Sequence, residues 1–162
     1  MPAAKDILVH GLQTSKGMLR FFTEDFTPQD YLHRPTEKSN CAAWVIGHLT
    51  LTDRSVAKAL GAGDLPDLPE AFEKQFSRDE GSPQASSFGD VSALWSIFEK
   101  NRDRLIRAVQ EASTDLLDQP ASRSTPMYKT LGELIDFIAL HTCVHIGQIT
   151  TIRRSLGRPP LV

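Results

Sequence analysis

The run LGELIDFIALHTCVHIGQITTIRRS, residues 131–155, repeats its apolar residues every three to four positions. Leu131, Leu134, Ile135, Ile138, Ile149 and Ile152 form one stripe, the pattern of a helix that keeps one face in a core. Thr130 and Glu133 make a capping box at its start, while Gly157, Pro159 and Pro160 stop it. Two histidines, His141 and His145, stand in that stripe, where a bundle core wants Leu or Ile.

Working outward, three more segments carry the same period. Residues 6–24 place Ile7, Leu8, Leu12, Leu19 and Phe22 on one face. Residues 41–60 follow Ser39 or Asn40 as N-cap, end before Gly61 and Gly63, and carry the stripe Cys41, Trp44, Val45, His48, Leu51, Ser55, Val56, Ala59. Residues 90–112 space Val91, Leu94, Trp95, Phe98, Arg102, Leu105 and Val109 by three and four. A short helix is expected around Glu70–Gln75, within a long polar excursion over 61–89 that is a candidate to shape a pocket mouth. No segment alternates as a strand does. The expected fold is all-α: a single domain over residues 1–162, built as a four-helix bundle whose long connections allow a crossover.

Bulk properties narrow the function. The net charge of −2, from 18 basic against 20 acidic residues, offers no basic surplus for nucleic acid. The opening MPAAKDILVHGLQ lacks a secretory apolar core, and no 18 uninterrupted apolar residues suggest a membrane span. Cys41 and Cys143 make no disulfide framework and are each expected to be small buried residues. A cytoplasmic protein that binds neither nucleic acid nor membrane is the resulting expectation.

The histidines point to chemistry. A separation of four puts His141 and His145 about 40° apart around the helix and about 6 Å apart along it, close enough to share an ion. Spacing alone is a hint, because five histidines produce such a pair by accident about one time in eight. His48 strengthens it, since it lies mid-stripe on another helix beside Gly47, where a neighbour or ligand could approach closely. Three buried imidazoles need partners for a donor and an acceptor each, and one shared cation would serve all three. Separate core histidines bonded to backbone or hydroxyl groups are the competing reading. Thr142 stands where H-E-x-x-H proteases carry their Glu, so that chemistry is excluded. Glu-x-x-His pairs of di-iron bundles, GxSxG and P-loops are absent as well.

The stretches WVIGHL in the second long helix and LHTCVHIGQITTIRRSLGRPP in the last resemble the DinB/YfiT-like superfamily of metalloenzymes, as do LWSIFEKNRDRLIRAV and the overall length. The resemblance implies a DinB-like four-helix bundle, commonly homodimeric, with a divalent metal such as nickel or zinc held by His48, His141 and His145. It also implies a thiol S-transferase-like activity, in which a low-molecular-weight thiol attacks a small electrophilic substrate. A non-catalytic bundle that binds metal or a small ligand is the alternative, and a metal-free bundle acting through its dimer surface is a third reading.

Other residues carry weaker signals. Gln148, one turn after His145, is the candidate to orient a metal ligand or a bound water. Asp53 lies about 140° around the helix from His48, a poor direct ligand that could still act from behind one. Trp44 reads as core, Arg153 and Arg154 as helix-dipole partners or an anion site, His10 as a candidate fourth ligand, and His33 as surface. No carboxylate shares the face of the histidines, so no general base is named.

Overall fold

The computed structural model describes residues 3–77 and 88–161. Its long helices are α1 (Ala4–Phe21), α2 (Ala42–Ala59), α4 (Val91–Glu111) and α6 (Leu131–Ser155). Short helices α3 (Phe72–Phe76) and α5 (Thr114–Leu117) and one 3-10 turn (Asp30–Leu32) sit in the connections. The four long helices form a four-helix bundle in which α1 packs beside α4 and α6, and α2 also packs beside both. Sequence neighbours α1 and α2 therefore do not pack as a hairpin.

Side-chain contacts give the directions. Lys5 reaches the carbonyls of Gln110 and Ala112 while Lys16 pairs with Asp103, so α1 and α4 are antiparallel. Asp53 pairs with Arg102, and Asp64, just past α2, pairs with Arg104, so α2 and α4 run parallel. Two parallel neighbours need a connection that returns along about 27 Å of helix, which is why the 61–89 excursion is long. Residues 78–87 of it lie outside the described residues.

Helix ends follow local chemistry. Thr130 Oγ1 accepts from the Glu133 N–H at 3.2 Å and Glu133 Oε2 accepts from the Lys129 and Thr130 N–H groups, completing the expected capping box. Those backbone donors hold the Glu133 carboxyl below its ordinary range. Gly61 and Gly157 adopt left-handed backbone (φ +84° and +72°) just past α2 and α6, as helix stops do. The N-cap of α2 is Cys41, neither Ser39 nor Asn40: Ser39 bonds Thr36, and Asn40 donates to Gln148. α3 begins two residues later than expected.

Two expectations about packing fail. On α2 the residues Ala42–Thr50 are buried all round, while Ser55 and Ala59, assigned to its stripe, are exposed. A stripe cannot predict this, because the first half of α2 is enclosed by α3 as well as by the bundle. Cys143 is exposed on α6, whereas Cys41 is fully buried and its thiol is pushed up by desolvation. α6 is long and apolar enough to pass for a membrane span by composition, yet its apolar side packs into the bundle core.

Gly47 is where α3 meets α2. A Cβ there would collide with the Phe76 ring, which is itself buried. Gly47→Ala is expected to destabilise the fold by about 1–3 kcal/mol through overpacking. The urea midpoint reads this directly, and Phe76→Leu in the same chain should restore part of the loss. An unchanged midpoint would mean that Phe76 does not seat against Gly47.

No strand was expected, but the structure has a hairpin of β1 (Pro120–Thr125) and β2 (Tyr128–Thr130), antiparallel and irregular in register. Its sequence PASRSTPMYKT is polar and too short to show alternation. Contact with α6 supports it, with the Tyr128 ring 5.3 Å from that of Phe137.

Candidate metal centre

His48 comes from the buried half of α2, and His141 and His145 from consecutive turns of the antiparallel helix α6. The fold brings the three together: one ring nitrogen from each lies within 4.8 Å of the other two. Ring centroids are 5.4 Å apart for His48 and His141, 5.2 Å for His48 and His145, and 4.6 Å for His141 and His145. The Nε2 atoms of His141 and His145 approach to 3.1 Å. Two imidazole nitrogens on a tetrahedral ion with bonds near 2.05 Å would sit about 3.3 Å apart, so the spacing suits shared coordination.

The rings are held by their surroundings. Trp44 stacks on His48 with centroids 4.8 Å apart and planes 6° from parallel. Phe137 stacks on His141 at 5.9 Å. Gln148 Oε1 lies 3.1 Å from His145 Nδ1 and also accepts from Asn40 Nδ2. With Nδ1 donating to Gln148, His145 turns its Nε2 lone pair to the cluster, the arrangement by which outer groups aim metal-binding histidines. Gln148 thus stands behind His145, and Trp44 does more than fill core.

His48 and His141 also line a cleft of about 450 Å³. Its helical wall includes Thr52, Ser55, Val56, Leu134, Phe137 and Ile138. The other wall is the hairpin, with Ser122, Arg123, Thr125, Met127 and Tyr128. Among the described residues the hairpin, rather than the 61–77 stretch, shapes this mouth. Among the described residues no carboxylate lines the cleft.

The remaining candidates lie elsewhere. His10 is exposed on α1, 3.4 Å from Thr14 Oγ1, and is not in the cluster. His33 is half-buried and bonds Ser155 at 2.8 Å. Arg153 is buried in a two-pronged contact with Asp25 and also donates to the Phe22 carbonyl; Arg154 is exposed. The Arg153 guanidinium holds the Asp25 carboxyl below its ordinary range, so Arg153 serves packing rather than an anion site. Asp53 is fully buried and engaged by Arg102 at 2.7 Å, a pairing the sequence did not signal.

The model of the DinB superfamily matches residues 12–149. The chain belongs to that superfamily. Among solved structures it is similar to YfiT from Bacillus subtilis, described as a probable metal-dependent hydrolase with an unusual four-helix bundle topology. The TM-score is 0.67 at 16% identity, over 96% of this chain and 89% of that one, a likeness that establishes the shared fold. A search of curated proteins found no match. The parallel pair α2 and α4, joined by a long return, departs from up-down-up-down order.

Proposed function

We propose that this DinB-superfamily protein is a metal-dependent enzyme whose divalent ion, nickel or zinc, is held by His48, His141 and His145. The observation that carries the reading is the convergence of three imidazoles, two of which, His48 and His141, line a cleft with no carboxylate among its described residues. Such an ion, held by His48, His141 and His145, would supply the acidity that turns water or a thiol into a nucleophile near neutral pH. The description of YfiT as a metal-dependent hydrolase supports the metal and favours water; a low-molecular-weight thiol is the alternative nucleophile, making the activity thiol S-transferase-like.

The chain's own residues perform the remaining work. Gln148 fixes the tautomer and tilt of His145, and Trp44 and Phe137 hold the other two rings while covering them with apolar surface. Thr52, Ser55, Ser122, Thr125 and Tyr128 offer hydroxyls to a small electrophilic substrate in the cleft. With no carboxylate among the described lining residues, proton removal from the nucleophile is assigned to bulk solvent or to the substrate itself.

Protein purified without a His tag should contain one divalent ion per chain and, so loaded, should turn over an activated ester or an activated aryl halide. Consumption of the ester with water alone identifies a hydrolase, and consumption of the halide only with added thiol identifies a transferase. In either case His145→Ala should abolish turnover. An ion bound without either reaction would replace the enzyme with a non-catalytic binding protein, and absence of any ion would overturn the proposal.

A further inference from the structure

The hairpin places one charge in the cleft. Of the described residues that line it, Arg123 alone carries a formal charge, and its guanidinium makes no hydrogen bond or ion pair with a described residue. Four other arginines are engaged by carboxylates: Arg102 by Asp53, Arg104 by Asp64, Arg153 by Asp25, and Arg158 by Asp25 and Asp30. An unengaged guanidinium in a cleft whose described lining has no acidic group makes the local field positive, and three neutral imidazoles would not cancel a divalent ion added to it. Beside that charge runs an aromatic wall, in which Tyr128 contacts Phe137 and Phe137 stacks on His141.

We infer that the substrate of this site is a small molecule with an apolar, preferably aromatic, body and an anionic group bound by Arg123. A carboxylate fits best, because its two oxygens match the planar fork of a guanidinium. Arg123 is thus a specificity-determining residue on the hairpin wall, while the histidines lie on the helical wall. The inference rests on the metalloenzyme reading for the chemistry of the site, but its binding step concerns Arg123 and can be measured without metal.

Calorimetric titration of metal-free protein with phenylacetate and with phenylacetamide, which share shape but not charge, is the test. Wild type should bind the acid about tenfold or more tightly than the amide, given the usual strength of a charge-assisted contact at a partly exposed site. Arg123→Gln should remove that preference and leave amide binding unchanged, and Arg123→Lys should keep part of it. The side chain is exposed on the hairpin, so these variants are expected to retain the wild-type circular dichroism. Repeating the titration with phenyl phosphate shows whether the preferred anion is a carboxylate or a phosphate.

Equal affinity for acid and amide in wild type would overturn the inference, and so would a preference that survives Arg123→Gln. Failure of both probes to bind at millimolar concentration, with or without zinc, would also overturn it. A zinc-loaded series separates the two proposals. If zinc does not bind while the Arg123-dependent preference persists, the metal reading fails alone; if zinc binds and the preference is absent, only the anion inference fails.

Discussion

Asp53→Ala is expected to destabilise the protein by about 3–5 kcal/mol, the cost of stranding a buried charge. Asp53 and Arg102 are both fully buried, and their contact is 2.7 Å. Burial pushes the Asp53 carboxyl above its ordinary range, and the guanidinium beside it pulls the other way. Arg102, on α4, also donates to the Leu12 carbonyl and Ser15 Oγ on α1 and to Thr142 Oγ1 on α6. One side chain therefore ties all four long helices. Removing Asp53 leaves the guanidinium its neutral partners but no counter-charge. Urea denaturation with an unchanged slope should read the loss as a shifted midpoint. Replacing both partners by apolar residues, Asp53→Leu with Arg102→Met, should recover most of it, because desolvation of the pair offsets much of its attraction. A single-variant loss below about 1 kcal/mol would place the pair in solvent rather than in the core.

That knot bears on the site. Thr142 follows His141 on α6, and Asp53 lies just over one turn beyond His48 on α2, so the Arg102 contacts fix the spacing of the helices that carry the histidines. Asp53→Ala is accordingly expected to weaken metal binding as well as the fold.

Loss of a histidine should act on metal far more than on the apo fold. His48→Ala and His145→Ala are each expected to lower zinc affinity by more than about a hundredfold, since loss of an outer partner alone costs about 10–100-fold. Gln148→Leu should fall within that smaller range by freeing the His145 ring. His10→Ala, altering an exposed residue of α1, should change nothing. Competition against a chromophoric chelator measures all four. In thermal melts, zinc at a thousand times its dissociation constant should stabilise wild type by about 4 kcal/mol and leave His48→Ala almost unmoved. Equal zinc binding by wild type and His48→Ala would remove His48 from the coordination set.

Much of this was legible along the chain because helix signals are local. The period of residues 131–155, the Thr130–Glu133 box and Gly157 gave α6 its observed bounds. His48, His141 and His145 could be grouped because imidazoles set in apolar stripes each need a donor and an acceptor satisfied, which one shared ion would help to do. Local signals also misled. The Ser55 end of α2 carries a plausible stripe residue, yet it opens to the cleft, because the hairpin leaves that side wet. Polar PASRSTPMYKT showed no alternation, because its pairing depends on α6 rather than on its own pattern.

The sequence by itself determined the four long helices, the inward stripe of α6, and the three histidines that stand on helix faces turned toward the core. Only the tertiary structure decided that α2 runs parallel to α4, that Arg102 meets Asp53, that Phe76 fills the space at Gly47, and that Arg123 overlooks the histidines. Helical periodicity states that a face is buried but not against what. Contacts such as Asp53 with Arg102, or Arg123 with the cleft, depend on how long connections return the chain, and that is settled by packing the whole bundle.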